Sequence, residues 1–319
     1  MMLKPSQVNT LRVLDLFCGM GGLSYGFAEN GFMVTGVDIS EEAGLAYSFN
    51  RIGNFVKMDL MNPGLRGTPE IVVGGPPCEP WSSLNLTRRK ESHPRYRCLP
   101  VFFAEIHKLR PLIFVMENVP AIRNDPLLME NLEAMQKQYD TTTSVFVYSE
   151  YGAAFARRRF FTIGIRKETG ISASEVVGAL KKERPATVRE RIDNLRDSGP
   201  DASIDHIWPK ARTIHKYLEY YKTGKYGWYI LEWDAPSPSF GNITKTYILH
   251  PDSFQNGKDP RPISVREALR IVGFPDKYKF PDRLGMRIKY KMIADAVSPV
   301  FSFKLAKAIK DVLLPYVMM

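Results

Sequence analysis

The chain has 319 residues, 44% of them apolar and 24% charged, which places it in the ordinary globular range with length enough for two domains. The opening MMLKPSQVNT lacks the apolar stretch of a signal peptide, and no later run approaches the roughly 18 uncharged apolar residues of a membrane span. Cys18, Cys78 and Cys98 have no CxxC spacing, so neither a disulfide framework nor a zinc or other metal site is expected, and a reducing, cytoplasmic setting fits.

In chain order, LRVLDLF (11–17) reads as a short strand ending in CGMGG, and LSYGFAEN (23–30) has helical spacing stopped by Gly31. FMVTGVD (32–38) predicts a second strand, and SEEAGLAYSFN (40–50) a helix capped by Ser40 with acids in its first turn. FVKMD (55–59), EIVVGG (70–75) and LIFVMENV (112–119) read as buried strands, with helices over 98–109 and 127–138. TSVFVYS (143–149) and RFFTIGI (159–165) add two more strands. Apolar strands alternating with helices predict a doubly wound α/β sheet. Residues 166–286 lose this rhythm and predict a smaller, irregular domain with short strands. From 291 to 314 helical spacing returns, predicting a helix that rejoins the first domain.

The net charge of +10 is unevenly placed. Residues 1–150 carry 14 basic and 16 acidic groups, 151–230 carry 16 and 9, and 231–319 carry 14 and 9. A near-neutral first half before a basic second half predicts a polyanion-binding face built mainly from the second half.

The chemistry gathers where the predicted strands end. DLFCGMGG follows a strand and precedes a helix, and Asp38 ends the next strand, the layout of a nucleoside-cofactor site. Gly19, Gly21 and Gly22 allow close backbone approach. The G-x-G-G spacing, without a phosphate-loop lysine, suits a cofactor lacking a pyrophosphate. Asp59 ends the third strand. GGPPCEPWSS presents Cys78 on a turn stiffened by two prolines, where a thiol is preorganised and nearby cations could lower its pKa; the competing reading is a buried apolar filler. Glu117 finishes a wholly apolar run, which is costly unless the acid is used or paired. In ARRRFF, Arg157 and Arg159 would face one side of an extended chain and Arg158 the other. Residues 79–97 form a long polar stretch with Arg88, Arg89, Lys90, Arg95 and Arg97, read as a basic lid.

These ordered blocks resemble the DNA (cytosine-5-)-methyltransferases of prokaryotic, restriction-modification type, over nearly the whole length. DLFCGMGG resembles the family's adenosylmethionine loop, GGPPCEPWS its nucleophile block, ENV its glutamate block and YGAAFARRRFFTIG its arginine block. REALRIVGFPD (266–276) resembles the block that organises the recognition domain, and ITKTYILHPD (243–252) the threonine-rich strand ahead of it. The resemblance implies a Rossmann-like, class I adenosylmethionine-dependent fold, a doubly wound mixed sheet, formed by residues 1–165 and 287–319. Residues 166–286 would be the target-recognition domain.

It implies S-adenosylmethionine as cofactor, held by Phe17, Gly19, Met20, Gly22, Asp38, Ile39, Asp59, Leu60, Pro77 and Asp295, with Phe17 stacked on the adenine. Cys78 would attack C6 of a flipped-out cytosine, Glu117 would contact N3 and the exocyclic amine, Arg159 the base carbonyl, and Arg157 would brace the site. Ser82, Arg88, Arg89, Arg95, Arg97, Thr244 and Lys245 would contact double-stranded DNA. The implied protein is a monomer of the prokaryotic cytoplasm, associated with the nucleoid and away from membranes. It is either solitary or matched to a restriction endonuclease acting on the same site.

Three positions depart from the family pattern: Ala154 for proline, Phe155 for glutamine, and Ala294-Asp295 for a Gly-Asn pair. Asp295 keeps an acceptor and loses the amide donors. Two other readings stay open. One is a tRNA-methylating member of the same fold, although its Cys-Phe-Thr signature is absent, the single Phe-Thr at 161–162 following Phe160. The other is an inactive relative that binds DNA as a regulator, which would be expected to lack Cys78.

Overall fold

The computed structural model of the chain describes residues 11–62, 64–82, 90–210, 213–224, 227–255 and 257–318. Its elements in order are β1 (Arg12–Leu16), α1 (Gly22–Glu29), β2 (Met33–Asp38), α2 (Glu41–Phe49), β3 (Asn54–Lys57), β4 (Ile71–Gly74), α3 (Cys98–Leu109), β5 (Ile113–Asn118), α4 (Pro126–Met135) and β6 (Tyr139–Val147). There follow β7 (Phe155–Ala156), β8 (Arg158–Arg166), α5 (Ala173–Ala179), α6 (Val188–Ile192), α7 (Leu218–Thr223), β9 (Ser237–Pro238), α8 (Val265–Val272), α9 (Met286–Asp295) and α10 (Pro299–Met318). No described helix is long and apolar enough to cross a membrane.

Seven strands form one sheet in the order β3-β2-β1-β4-β5-β8-β6. The first five run parallel, while β8 lies antiparallel between β5 and β6. The sheet is therefore the mixed, doubly wound one expected. Its order reverses at β1 and β4, and ligands of such sheets bind beyond the carboxyl ends of the strands at that reversal. The glycine loop leaves β1 there, and the Cys78 turn leaves β4.

Why these segments become strands and helices is visible in what they bury. Every residue of β4 and β5 is out of solvent, as strands covered on both faces must be. Phe102 and Phe103 of α3 pack edge-on against Phe114 of β5, with centroids 6.5 and 6.1 Å apart. Each such buried ring contributes about 1.5–3 kcal/mol. Helix α2 starts where predicted: the Ser40 hydroxyl accepts from Ala43 N at 3.1 Å, and Glu41 and Glu42 fill the first turn. Helix α1 meets α10 closely. A side chain at Gly26 would collide with the backbone of Ser302 and Phe303, and the Ser302 hydroxyl donates to Gly22 O at 2.9 Å.

The structure corrects four expectations. The segment FVKMD is not buried: β3 is an edge strand, mostly exposed, because only β2 covers one of its sides. The strand expected at 143–149 starts earlier, since Tyr139–Thr142 already pair with β8. The terminal helix is two: Ala296 is extended, and Pro299 opens α10, where a missing N–H costs nothing. The irregular region holds short helices more than strands. Three of them carry capping boxes, Ser172 with Glu175, Thr187 with Glu190 and Ser264 with Glu267.

The chain packs as two compact units. One runs to Val147 and takes in Arg158–Lys181 and the chain from Ser302; the other comprises Tyr148–Arg157 and Lys182–Phe301. These seams differ from the expected ones for local reasons. Residues 166–181 stay with the sheet because the Ser172 hydroxyl and Ala173 N both donate to Asp140, at 2.9 and 2.7 Å. Residues 287–301 stay with the second unit. There Lys289 meets Asp205 at 2.7 Å, Tyr290 donates to Ile263 O at 2.7 Å and Ser298 to Val272 O at 2.6 Å.

Candidate active site

The loop after β1 is built from unusual backbone. Phe17 has φ 61°, which a residue with a side chain rarely adopts, followed by Gly19 at 53° and Gly21 at 88°. Asp38, ending β2, holds the loop: its two oxygens accept from Gly19 N and Ser40 N, each at 2.9 Å. Phe17 is half-buried against the core, and Met20 and Gly22 are buried. Beside Asp38 the Ile39 side chain stands 62% exposed, an apolar surface left open at the rim. Asp59 accepts from Met61 N at 3.0 Å and from the Asn62 amide at 3.2 Å, turning the chain after β3, while Leu60 is buried and Pro77 half-buried. A Cβ on Gly19 would meet nothing within 4 Å. Two carboxylates at successive strand ends, apolar edges beside them and a glycine loop facing open space suit a nucleoside carrying a positively charged tail. S-adenosylmethionine is such a molecule.

Cys78 sits one turn past β4. Gly75 N donates to Leu16 O at 3.3 Å, and the Asn118 amide donates to Pro76 O at 3.0 Å, tying the turn to the ends of β1 and β5. Gly75 lies close under the acid: a Cβ there would stand 3.0 Å from Glu117 Oε2 and would ask that carboxylate to give way by a few tenths of an ångström. Glu117 is 8% exposed and pairs through Oε1 with Arg159 Nε at 2.7 Å. So the structure brings the Cys78 turn, Glu117 and Arg159 to one rim. The other thiols differ sharply. Burial pushes Cys18 well above an ordinary thiol pKa, helped by the negative Asp15 and Asp38, and burial raises Cys98 too. Cys78 alone of the three is partly exposed.

Arg158 is exposed while Arg157 and Arg159 are buried, the alternation expected of an extended chain. Arg157 belongs to the second unit. Its Nη1 donates to the Ala294 carbonyl, its guanidinium lies 5.6 Å from the Phe155 ring centre, and its Nε has no partner among the described residues. Phe155 itself is fully buried, 4.7 Å from the Phe240 ring, so the departure from glutamine is absorbed by aromatic packing. Asp295 is exposed on α9 and pairs with Lys291 at 2.6 Å.

Of the expected DNA contacts, Arg88 and Arg89 lie outside the described residues. Arg95 and Arg97 are exposed, and Arg95 pairs with Glu79 at 2.6 Å. Ser82 is half-buried. In the second unit Asn242 accepts from Thr244 N at 3.0 Å and from its hydroxyl at 2.7 Å, a turn that leaves Lys245 exposed.

Sequence reasoning missed Asp15. It is 1% exposed in β1 and accepts from the Ser24 hydroxyl, which in turn receives Tyr47 OH at 3.0 Å. Burial pushes this carboxyl from an ordinary 3.8 to about 7, with the negative Asp38 and Glu117 adding to the effect. The signal was available, an acid inside an apolar strand one residue from the glycine loop. It also missed Asp125, which binds both Trp81 and Tyr96.

Against this geometry the comparisons agree. A sequence model of the C-5 cytosine-specific DNA methylase family matches residues 11–311. The type II methyltransferase M.FnuDI of Fusobacterium nucleatum is 26% identical over 95% of each chain. M.NgoPII of Neisseria gonorrhoeae is 27% identical over 97% of this chain and 98% of its own. Among solved structures, a prophage-encoded E. coli protein described as a DNA modification methyltransferase superposes with a TM-score of 0.74. It is 23% identical, over 95% of this chain and 99% of that one. The Dnmt2 methyltransferase of S. pombe gives 0.72 at 17% identity, over 96% and 99%. At these identities the two structures speak to the fold.

Proposed function

Because the chain belongs to the C-5 cytosine-specific DNA methylase family, we propose that Cys78 is its nucleophile, Glu117 its acid at the base, and Arg159 the group that holds Glu117 and the base carbonyl. The enzyme methylates C5 of cytosine in DNA with S-adenosylmethionine as donor. The observation that carries the residue assignment is the contrast among the three thiols: Cys18 and Cys98 are buried, and Cys78 is presented on a turn tied by Asn118 to the strand that carries Glu117.

Cytosine C5 is too poor a nucleophile to accept a methyl group unaided. The Cys78 thiolate adds to C6, and the electron pair displaced toward C5 makes that carbon enamine-like. Glu117, at N3 and the exocyclic amine, supports protonation of the ring as the thiolate adds, and it distinguishes cytosine from thymine. S-adenosylmethionine, when bound, supplies the electrophilic methyl group that activated C5 accepts. Phe17, Gly19, Met20, Gly22, Asp38, Ile39, Asp59, Leu60 and Pro77 would hold it, with Asp38 oriented by the loop it braces. Removal of the C5 proton returns the electron pair and expels Cys78. The base must leave the stack for this chemistry.

Ser82, Arg95 and Arg97 in the first unit and Thr244 and Lys245 in the second are read as DNA contacts, and the second unit as the part that selects the sequence. Asp295 is paired with Lys291 on an exposed helix face and would have to leave that pair to serve the cofactor. The enzyme is read as a monomer that forms no stable complex with any endonuclease sharing its site.

Labelled methyl transfer from S-adenosylmethionine to two pools, mixed-sequence duplex DNA and total tRNA, tests this reading. Label is expected in DNA, at a short motif, and none is expected with Cys78→Ala, which should fold and bind the cofactor. Turnover unchanged by Cys78→Ala would overturn the nucleophile; label confined to tRNA would overturn the substrate.

A further inference from the structure

Three residues past Cys78 stands Trp81, and its indole N–H donates to Asp125 Oδ2 at 2.7 Å. Tyr96, on the far side of residues 83–89, donates its hydroxyl to Asp125 Oδ1 at 2.8 Å. The same Oδ1 accepts Leu127 N at 3.0 Å, so Asp125 also caps α4. One carboxylate, 2% exposed, therefore receives three donors from three stretches of chain. The Trp81 and Tyr96 rings pack 5.4 Å apart over it. A cap alone needs only the Leu127 bond.

The clamp reaches the nucleophile directly, because Trp81 N donates to Cys78 O at 3.0 Å. The Cys78 turn is thus pinned at both ends: Pro76 O by Asn118 at 3.0 Å, and Trp81 by Asp125. Both pins come from the segment that begins with Glu117, since Asn118 follows it directly and Asp125 lies eight residues on. The Arg95–Glu79 pair bridges the same stretch but is half exposed, 54% and 38% at the side chains, and such pairs contribute little.

We infer that Asp125 is a positioning residue for the methyl-transfer reaction. Through Trp81 it sets the register of Cys78 against Glu117, and through Tyr96 it fixes the other arm of the segment that follows the nucleophile. The inference rests on Cys78 being the nucleophile. A buried, charge-assisted hydrogen bond is short and directional, and misplacement of a reacting group by a fraction of an ångström to 1 Å costs up to roughly 100-fold in rate.

The test is the rate of covalent trapping on mixed-sequence duplex DNA containing 5-fluorocytosine, with S-adenosylmethionine present, where fluorine blocks the loss of Cys78. Trp81→Phe keeps an aromatic ring, though a smaller one, and the α4 cap, and removes the indole donor. It is expected to slow trapping at least about tenfold while the cofactor dissociation constant, read by calorimetry, stays within about twofold. Tyr96→Phe, farther from Cys78, is expected to slow trapping less, and it keeps the question answerable if Trp81→Phe does not fold. Asp125→Asn added to Trp81→Phe is expected to cost far less than the product of the single effects. A trapping rate per folded molecule that both Phe variants leave unchanged, with only the melting temperature lowered, would overturn the inference and leave Asp125 a helix cap. Absence of any trapped complex with the unmodified enzyme would instead overturn the Cys78 reading beneath it, and the inference with it.

Discussion

The two units bury acids in opposite ways. In the second unit Glu267 has no exposed surface, yet it takes both arms of Arg261 at 2.7 and 2.8 Å and Ser264 N at 2.7 Å. Although burial alone would raise it, Arg261 leads the contacts that hold this carboxyl below its ordinary range. Asp252 is likewise held down against burial by Arg196, Trp233 and Lys258. In the first unit Asp15 has a serine hydroxyl and two nearby negative charges, and burial raises it to about 7. Charges that are buried and surrounded by cations brace a fold; an acid buried with little cationic company, as Asp15 is inside β1, is pushed toward its neutral form. Glu117 stands between these cases, with Arg159 as its salt-bridge partner.

The largest effect that would break this contrast is on stability. Glu267→Ala removes a fully buried carboxylate and leaves the partly buried Arg261 and the Ser264 N–H without their acceptor, and is expected to cost about 3 kcal/mol in urea unfolding. A loss below about 1 kcal/mol would show that the second unit's ion pairs are dispensable to it. Next comes rate. Glu117→Gln is expected to slow methyl transfer about 100-fold, about 2.7 kcal/mol of barrier. A near-normal rate would move the acid's role elsewhere.

Smallest per pH unit is the slope of stability against pH, and its sign separates the two acids. Asp15 is raised in the folded state, so its contribution is complete below about 3.8 and is lost as pH climbs toward about 7. Glu267 is lowered, so its contribution is complete above about 4.5 and is lost as pH falls. Asp15→Asn should therefore gain stability relative to the unmodified enzyme between these limits, by at most about 1.4 kcal/mol per pH unit. Paired denaturation curves from pH 4 to 8 would show it, and a difference constant across that range would mean that Asp15 titrates normally.

Much of the candidate site was legible because strands of a parallel sheet end in a common place. Asp38 and Glu117 each close an apolar run, and Cys78 comes a few residues after one, so local pattern alone put them on one rim. Asp15 escaped because it lies inside its strand, and its environment comes from Ser24 and Tyr47 on α1 and α2. Asp125 escaped for a related reason: its partners are 44 and 29 residues away, and nothing in NDPLL announces them. In the second unit the capping boxes at Thr187 and Ser264 were readable and went unread amid the charged surroundings. The Asp205–Lys289 pair spans 84 residues and had no local signature.

Helix α1, which rises from the glycine loop, is packed by α10: Gly26 has no room for a side chain beside Ser302, and Gly22 and Ser302 are bonded across 280 positions of sequence. This fixes an order of events during synthesis. At roughly 5–20 residues per second, the ribosome adds the helix that covers α1 tens of seconds after the loop itself emerges. Until then the glycine loop has its strand but not its support. A chain cut short before α10 is expected to leave α1 and the glycine loop without this packing.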